Sequence, residues 1–496
     1  MSTAHLPVLI IVVPLLCAYM MPLFARWRKG LCIIATYFAM VFSLIASIIM
    51  AQIVLADGPY TYQLGNWPPP WGIELSIDHL AVYTIFTLSL IGLLIIIYAS
   101  KDLIHELKDE SKINWYYTLY LLLMASMLGI ALTNDLFNLF VFVEICAISA
   151  CAIISIKDNK ECIEAAFKYL ILSAIGSGCI LLSIAMIYMV TGHLNFGYLA
   201  QELPLAMSVY PKNILASLAL LMVGLSVKAA LFPLHVWLPD AHSSAPSPSS
   251  AILSGLVIKI YAVAMIKILY KVFPHELLGT APVMSLLLVM ATFAIIIGSM
   301  FAIVQEDMKK MLAYSSIAQI GYVFLGIGLM TESGVLGGIL HILNHAMMKS
   351  MLFLAAGAFI YATGVRKIND LKGVGLTMPI PTIAFTIGAL AMVGIPITNG
   401  FVSKWYLVLG ALDVNKPHFA ALILLSSLLN GIYYLPIIIN AFFGIPEGAV
   451  TEPKRLPMQM TIPLVLLGLG CILLGVFPSH IVELVSKAAQ GLLGLL

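Results

Sequence analysis

Six ionisable side chains lie in stretches otherwise apolar enough for a lipid bilayer: Glu144, in Leu139-Phe-Val-Phe-Val-Glu144-Ile-Cys-Ala, and Lys168, Lys228, Lys259, Lys349 and Lys404. A charge centred in a membrane helix costs about 2.5–3.5 kcal/mol. Six would cost roughly 15–20 kcal/mol, more than a typical net folding stability. These groups must therefore face a bundle interior, pair, or be hydrated. Proton transfer is the chemistry they offer. A desolvated lysine releases its proton more readily, and a nearby carboxylate favours the charged form. Moving Glu144 relative to Lys228 would switch that lysine between holding and releasing. His341, His345 and Lys349 follow at i+4 spacing with Asn344 alongside, on one helical stripe, and an imidazole passes a proton between its two nitrogens near neutrality. Plainer readings stand beside these: snorkelling from a helix end for Lys168 and Lys259, a static interhelical bond for Glu144, and satisfied polar packing for the histidines. His-x3-His could also hold zinc, but no Cys or acidic third ligand lies nearby. The seven cysteines contain no CxxC pair and fall mostly in apolar runs.

The elements that must carry these groups follow from composition. Of 496 residues, 61% are hydrophobic and 10% charged, with a net charge of +2. Too little polar surface exists to solvate several soluble cores. A soluble enzyme, a nucleic-acid binder and a disordered scaffold are excluded together. The chain reads as an all-α polytopic membrane protein. Windows of about 20 apolar residues predict fourteen spans: 6–25, 30–55, 78–99, 115–133, 136–156, 163–190, 213–237, 248–271, 282–304, 311–330, 335–363, 379–411, 418–443 and 460–477. Only Thr133-Asn134-Asp135 separates the fourth and fifth. The apolar start precedes its positive charges at Arg26, Arg28 and Lys29, so it reads as a first span rather than a cleaved signal.

The positive-inside rule supports this count. Connections on one side hold Arg26, Arg28, Lys29, Lys101, Lys108, Lys112, Lys157, Lys160, Lys309, Lys310, Arg366, Lys367, Lys372, Lys454 and Arg455. The other side holds only Lys212, Lys267, Lys271, Lys416 and Lys487. The expected location is the cytoplasmic (inner) membrane of the cell, with both termini outside the cytoplasm. Residues 60–67 and 72–77 alternate around Pro68-Pro69-Pro70-Trp71 and read either as a small β-hairpin with Trp67 and Trp71 at headgroup depth or as an irregular aromatic loop. Residues 479–496 read as a short interfacial helix.

Several spans are broken. Pro233 follows Lys228 by five residues, Pro246 and Pro248 precede Lys259, and Gly394-Ile-Pro396 precedes Lys404. A helix-interior proline removes an amide donor, and bare backbone at membrane depth survives only inside protein or beside a water-filled cavity. Interrupted helices carrying ionisable groups are expected of an ion path. The pattern also recurs: Lys168 and Lys228 are 60 residues apart, Lys349 and Lys404 are 55 apart, and each pair ends in a broken helix. Two five-helix units must enter the membrane from opposite sides, which makes an inverted repeat. The predicted division is residues 1–112, three helices with the outer hairpin; 113–272 and 273–445, the two repeats as half-channels; and 446–496, a last helix and tail.

Lys228-Ala-Ala-Leu-Phe-Pro-Leu-His235-Val-Trp-Leu-Pro-Asp240-Ala-His242-Ser-Ser-Ala-Pro246, continued by Ser250-Ala-Ile-Leu-Ser-Gly-Leu-Val-Ile-Lys259, resembles the signature of the antiporter-like subunits of respiratory complex I. That superfamily includes Mrp-type cation/proton antiporters and membrane-bound hydrogenases. Lys310-Met-Leu-Ala-Tyr-Ser-Ser-Ile-Ala-Gln319 and His341 to Gly357 match it too, and the likeness covers nearly the whole chain. Overall length and the hairpin are most similar to the Mrp D subunit and its hydrogenase counterparts. The resemblance implies that Glu144 and Lys228 form the Glu–Lys pair of a first half-channel. It makes Lys259 a central lysine, His341, His345 and Lys349 a central relay, and Lys404 the terminal lysine of the second half-channel. Lys168 matches more weakly. Asp240 and His242 fall in a family corner, where capping the break explains them equally well.

The function expected is a proton-translocating subunit of a multisubunit Na+/proton antiporter or related redox-driven pump. A free-standing carrier of a small solute is the alternative; it would show one compact hydrogen-bonding cluster rather than charges strung along many helices. The sequence offers no flavin, quinone or metal site, so no cofactor is expected in this chain. Redox chemistry would belong to iron–sulfur, hydrogenase or dehydrogenase partners, beside other small hydrophobic subunits. Sodium prefers acidic ligands; with Glu144 as the only deeply buried acid expected, the chain reads as a proton path.

Overall fold

A computed structural model describes residues 3–28, 30–280, 282–444 and 455–495. Lys29 and Lys454 of the charge pattern, and the start of the predicted tail, lie outside these residues. The main helices are α1 (Leu6–Trp27), α2 (Leu31–Asp57), α3 (His79–Leu107), α4 (Glu110–Leu132), α5 (Leu136–Ser155), α6 (Lys160–Thr191), α7 (Phe196–Val209), α8 (Pro211–Lys228) and the short α9 (Leu238–Ser244). They continue with α10 (Ser247–Lys271), then α11 (Val283–Ile303), α12 (Met308–Gly328), α13 (Glu332–Thr363), α14 (Pro379–Val393), α15 (Asn399–Asp413), α16 (Pro417–Phe443), α17 (Met458–Val476) and α18 (Ser479–Leu492). Thirteen helices among the described residues are long and apolar enough to cross a membrane. The interrupted pair α14–α15 supplies a fourteenth crossing.

Helix starts are set by local chemistry. Asp135 accepts from Asn138 N at 2.7 Å to cap α5, Asn159 accepts from Cys162 N at 2.9 Å to cap α6, and Asp307 accepts from Lys310 N at 2.9 Å to cap α12. The three residues between α4 and α5 suffice for a reversal because Thr133 and Asp135 each form a bridge, to Leu75 and Asn195. The β-hairpin exists: β1 (Tyr60–Gln63) pairs antiparallel with β2 (Glu74–Ile77), Tyr60 opposite Ile77. Trp67 and Trp71 are exposed beside it.

Helix α10 is buried along its whole length and forms the axis; α3, α12 and α13 are mostly buried around it. The outer helices α1, α2, α6, α16 and α17 present apolar side chains outward, among them Phe38, Phe167 and Leu424, as lipid-facing helices must. The C-terminal α18 packs Val485, Ala489 and Leu492 inward against α3 and α13.

Two lysines assigned to aqueous connections are in fact buried. Lys267 donates to the carbonyls of Ala131 at 2.8 Å and Thr133 at 2.6 Å, closing the end of α4, and Lys309 donates to the Ala245 carbonyl. Both satisfy carbonyls that a helix end or a break leaves open, which a charge count along the sequence does not show. Helices α7 and α9 have no counterpart among the apolar windows: α7 lies in a polar connection, and α9 is a short piece of an interrupted span.

At the hairpin end Asp78 caps α3 through Ala81 N at 2.8 Å and pairs with Lys271. Burial alone would raise its carboxyl, but the Lys271 ammonium and the Ala81 amide hold it below the ordinary value. The stability it contributes is therefore present above the free-carboxylate pKa of about 3.9 and is lost as pH falls through the lower folded value. Asp78→Asn should lower stability by about 1.5–3 kcal/mol at neutral pH. Thermal unfolding of the detergent-solubilised protein should show the gap from wild type closing below about pH 4.

Candidate functional site

Helix α8 stops at Lys228, and the chain runs without regular helix to α9. The break is satisfied from within the protein: Trp237 Nε1 donates to the Val227 carbonyl at 2.9 Å, and Leu231 N donates to the Ser226 carbonyl at 3.0 Å. Lys228 Nζ donates to Glu144 Oε1 at 3.1 Å, Ser177 Oγ at 2.7 Å and Ser173 Oγ at 2.9 Å. Ser177 also donates to Glu144. Sequence reasoning misses the two serines; their signal is a pair of small hydroxyls one helical turn apart on the apolar α6. Glu144 is not deeply buried. Its side chain is 32% exposed on the flank of this chain, whereas that of Lys228 is fully enclosed.

The second break separates two groups of candidates. Lys168 is 46% exposed and pairs with Glu164 at 2.8 Å and Asp240 at 3.0 Å. Lys310 approaches Asp240 at 3.7 Å. Lys168 and Asp240 thus form a charge cluster at the end of the bundle opposite the hairpin, off the line of buried groups, and the snorkelling reading fits Lys168. His235 stacks on Phe232 with centroids 5.3 Å apart. His242 is fully buried, packed near the rings of Trp237 and Phe353, and neither ring nitrogen has a hydrogen-bond partner.

Beyond it the buried groups form a row. Lys259 follows the π-helical turn Leu253–Val257 and donates to the Ser254 carbonyl; such turns free backbone groups and recur at functional sites. Lys349 donates to the Leu312 carbonyl at 2.7 Å, to Ser315, and to Tyr434 Oη at 3.4 Å. His345 is fully buried with both nitrogens unpartnered, and its ring stacks on His341 at 5.6 Å. His341 contacts Ser403 Oγ at 2.9 Å and Gln319 Oε1 at 3.0 Å. Lys404 donates to the carbonyls of Met392 at 2.8 Å and Val393 at 3.0 Å, the open end of α14, and to Ser427 Oγ at 2.9 Å. Asn344 donates to the Asn399 carbonyl at 2.8 Å, tying α13 to the start of α15 across the Pro396 break.

His242, Lys259, Lys349, His345, His341 and Lys404 lie within electrostatic range of one another along this group, in a core whose orphan imidazole nitrogens call for water; Glu144 and Lys228 form their own bonded cluster with Ser173 and Ser177. Among the described residues no group of three His, Cys, Asp or Glu is placed to hold a metal ion. Glu144 is also not the most buried acid: Asp102, on α3, is 1% exposed. Its position near a helix end in a run with Lys101 and Lys108 conceals this in the sequence.

Residues 133–430 match the transmembrane family described as NADH:quinone oxidoreductase/Mrp antiporter. The chain is 39% identical to the N subunit of the NADH-quinone oxidoreductase of Desulforudis audaxviator, over 98% of this chain and 99% of that protein. It is 30% identical to the D subunit of the Na+/H+ antiporter of Alkalihalophilus pseudofirmus, over 99% and 97%. Among solved structures it superposes on a chain of the membrane-bound sulfane sulfur reductase, an archaeal respiratory membrane complex, with TM-score 0.91 and 34% identity. It superposes on a chain of the Mrp complex from Dietzia with TM-score 0.90 and 26% identity. Each match covers 99% of this chain and 98% of the other.

Gly394 gives a direct test of the break at Pro396. It has φ +89°, and a Cβ there would lie 2.9 Å from Lys404 Cδ. Gly394→Ala should cost about 1–2 kcal/mol of backbone strain, displace Lys404 and depress proton flux in vesicles. Gly364→Ala, with φ +74° and open space around its Cβ, should cost similar strain and leave flux unchanged.

Proposed function

The chain belongs to the NADH:quinone oxidoreductase/Mrp antiporter transmembrane family, and from that premise we propose how it moves protons. It is a proton-translocating membrane subunit of a multisubunit cation/proton antiporter or related redox-driven pump. In the proposed cycle Glu144 and Lys228 are the switch of a first half-channel. Separating the carboxylate from the ammonium removes the charge that favours the protonated lysine. The released proton passes by water and the central groups Lys259, Lys349, His345 and His341 to Lys404, which exchanges it through the second half-channel. Moving one proton against 100 mV takes about 2.3 kcal/mol, less than two pKa units at about 1.36 kcal/mol each. Electrostatic switching by one ion pair is therefore adequate.

The observation that carries this reading is the enclosed Lys228 ammonium bonded to Glu144 at a helix break. The string of buried amines and imidazoles extending from it also disfavours a lone solute carrier, which would concentrate its polar groups at one site. The proposed setting is the cytoplasmic membrane, hairpin and both termini outward, since the basic connections gather at the opposite end. A carboxyl one-third exposed within a membrane span is costly against lipid, so a neighbouring membrane subunit is proposed to cover Glu144. Redox cofactors, where the assembly uses them, are assigned to partners.

Lys228→Ala in the complete complex, reconstituted into vesicles with a pH-sensitive dye, should abolish proton flux while co-purification of the other subunits stays normal. Glu144→Gln should slow it strongly. Undiminished flux with Lys228→Ala would overturn the relay.

A further inference from the structure

The relay leaves one buried acidic pair unused. Asp102 and Glu106 lie one turn apart on α3, in the N-terminal helices that precede the family match at residues 133–430. Their environments differ in one decisive respect. The Glu106 carboxylate accepts from Ser247 N at 3.1 Å and Ser247 Oγ at 2.8 Å, at the start of α10, and it pairs with Lys157. Both the helix N-terminus and the cation favour its ionised form. Asp102 is 1% exposed, lies against Glu106, and its Oδ2 has no hydrogen-bond donor. A buried carboxylate with one oxygen unpartnered and a second carboxylate beside it is unfavourable, and taking up a proton removes the cost.

The pair also lies between water and the relay. The Glu106 and Lys157 side chains reach the surface, at 9% and 22% exposure. On the inner side the nearby amine is Lys309 of α12, which is buried and bonded to the Ala245 carbonyl. His242 has Lys309 on one side, and Lys259 and Lys349 of the relay also within electrostatic range. Other titratable neighbours are the phenols Tyr98 of α3, whose hydroxyl is bonded to the Leu354 carbonyl, Tyr116 of α4, and Tyr361 of α13 near Tyr98; Arg366 and Asp307 face Lys309, and the Cys162 thiol lies near Lys157 and Lys309.

We propose that the Asp102–Glu106 pair is a proton-holding site, with the proton on Asp102, through which the relay exchanges protons with the membrane face opposite the hairpin. The O–H bond of Asp102 breaks as an N–H bond forms on a neutral Lys309 amine or on His242 through water. The carboxylate left behind takes its next proton from the aqueous face past Lys157 and Glu106. This inference rests on the proposed relay and adds its port on one side.

The test uses the complete complex in vesicles, with infrared difference spectra across neutral pH and proton flux read in parallel. Wild type should show a protonated-carboxyl C=O band that shifts in heavy water. Asp102→Asn should remove that band and cut flux about tenfold or more, within the range for losing a positioned proton-transfer group. Asp102→Glu should restore both, and Glu106→Gln should slow flux with the subunits still assembled. Wild-type flux in Asp102→Asn, or a wild type without the band, overturns the proposal, and the second holds even if the variants do not assemble. A band that appears only when Na+ is withdrawn also overturns it, since the pair would then be a sodium ligand. Lys228→Ala run alongside separates the two readings. If it transports normally the relay fails; if it is inactive while Asp102→Asn is normal, only the port fails.

Discussion

The contact on which this structure depends is a lysine ammonium set against backbone carbonyls that a broken or ended helix leaves open. Inside a bilayer neither partner can turn to bulk water. Lys404 takes the carbonyls of Met392 and Val393, Lys259 that of Ser254 in its π-helical turn, Lys309 that of Ala245, and Lys267 those at the end of α4; Lys349 departs from the pattern, reaching the mid-helix Leu312 carbonyl of the unbroken α12 and the Ser315 hydroxyl. One arrangement solves two problems: the chain can be interrupted at membrane depth, and a cation can be held there. The breaks and the lysines are thus one feature, which is why they occur together along the sequence.

Carbonyl partners also leave the charge state open. A carbonyl accepts a hydrogen bond from an ammonium or from a neutral amine, so a proton can leave without stranding a buried anion. Only Lys228 differs, having a carboxylate at 3.1 Å. Breaking a buried ion pair is costly because it leaves charge uncompensated. In the proposed relay the Glu144–Lys228 pair is therefore the point where movement has the largest electrostatic consequence, and the other lysines conduct without being switches.

Legibility from sequence divides along the same physical line. The apolar spans, the Pro233, Pro246 and Pro396 breaks, the β-hairpin and the intramembrane Glu144, Lys228, Lys259, Lys349 and Lys404 could be read because each violates or satisfies a local rule about lipid. What could not be read depended on a partner far away in the chain. Lys267 and Lys309 looked like loop charges because the carbonyls they satisfy lie 134 and 64 residues away. Lys168 looked buried because it lies inside an apolar window, although its side chain reaches the end of the bundle to meet the local Glu164 and the distant Asp240. Asp102 passed unnoticed in a charged run at the end of α3, although the fold encloses it. Ser173 and Ser177 carried a faint local signal that gained meaning only once α8 was laid beside α6.

That juxtaposition also bears on which side of the ion pair is free to move in the proposed cycle. A Cβ on Gly224 would lie 2.5 Å from the Gly176 carbonyl oxygen, so α8 and α6 are in backbone contact. Lys228 and its two serine acceptors are thereby fixed to one another, and interiors packed this closely do not deform gradually. The second half follows the same design: a Cβ on Gly410 would overlap the Gly334 backbone, holding α15 against α13 and with it the His341–Ser403 bond. Glu144 sits on α5, held by Lys228 and Ser177, but its carboxyl lies partly outside the envelope of the chain, on the side where a neighbouring subunit is proposed. In the proposed cycle the lysine is then the fixed member of the pair and the carboxylate the adjustable one, which would place control of the first half-channel at the boundary between this chain and the neighbour proposed to cover Glu144.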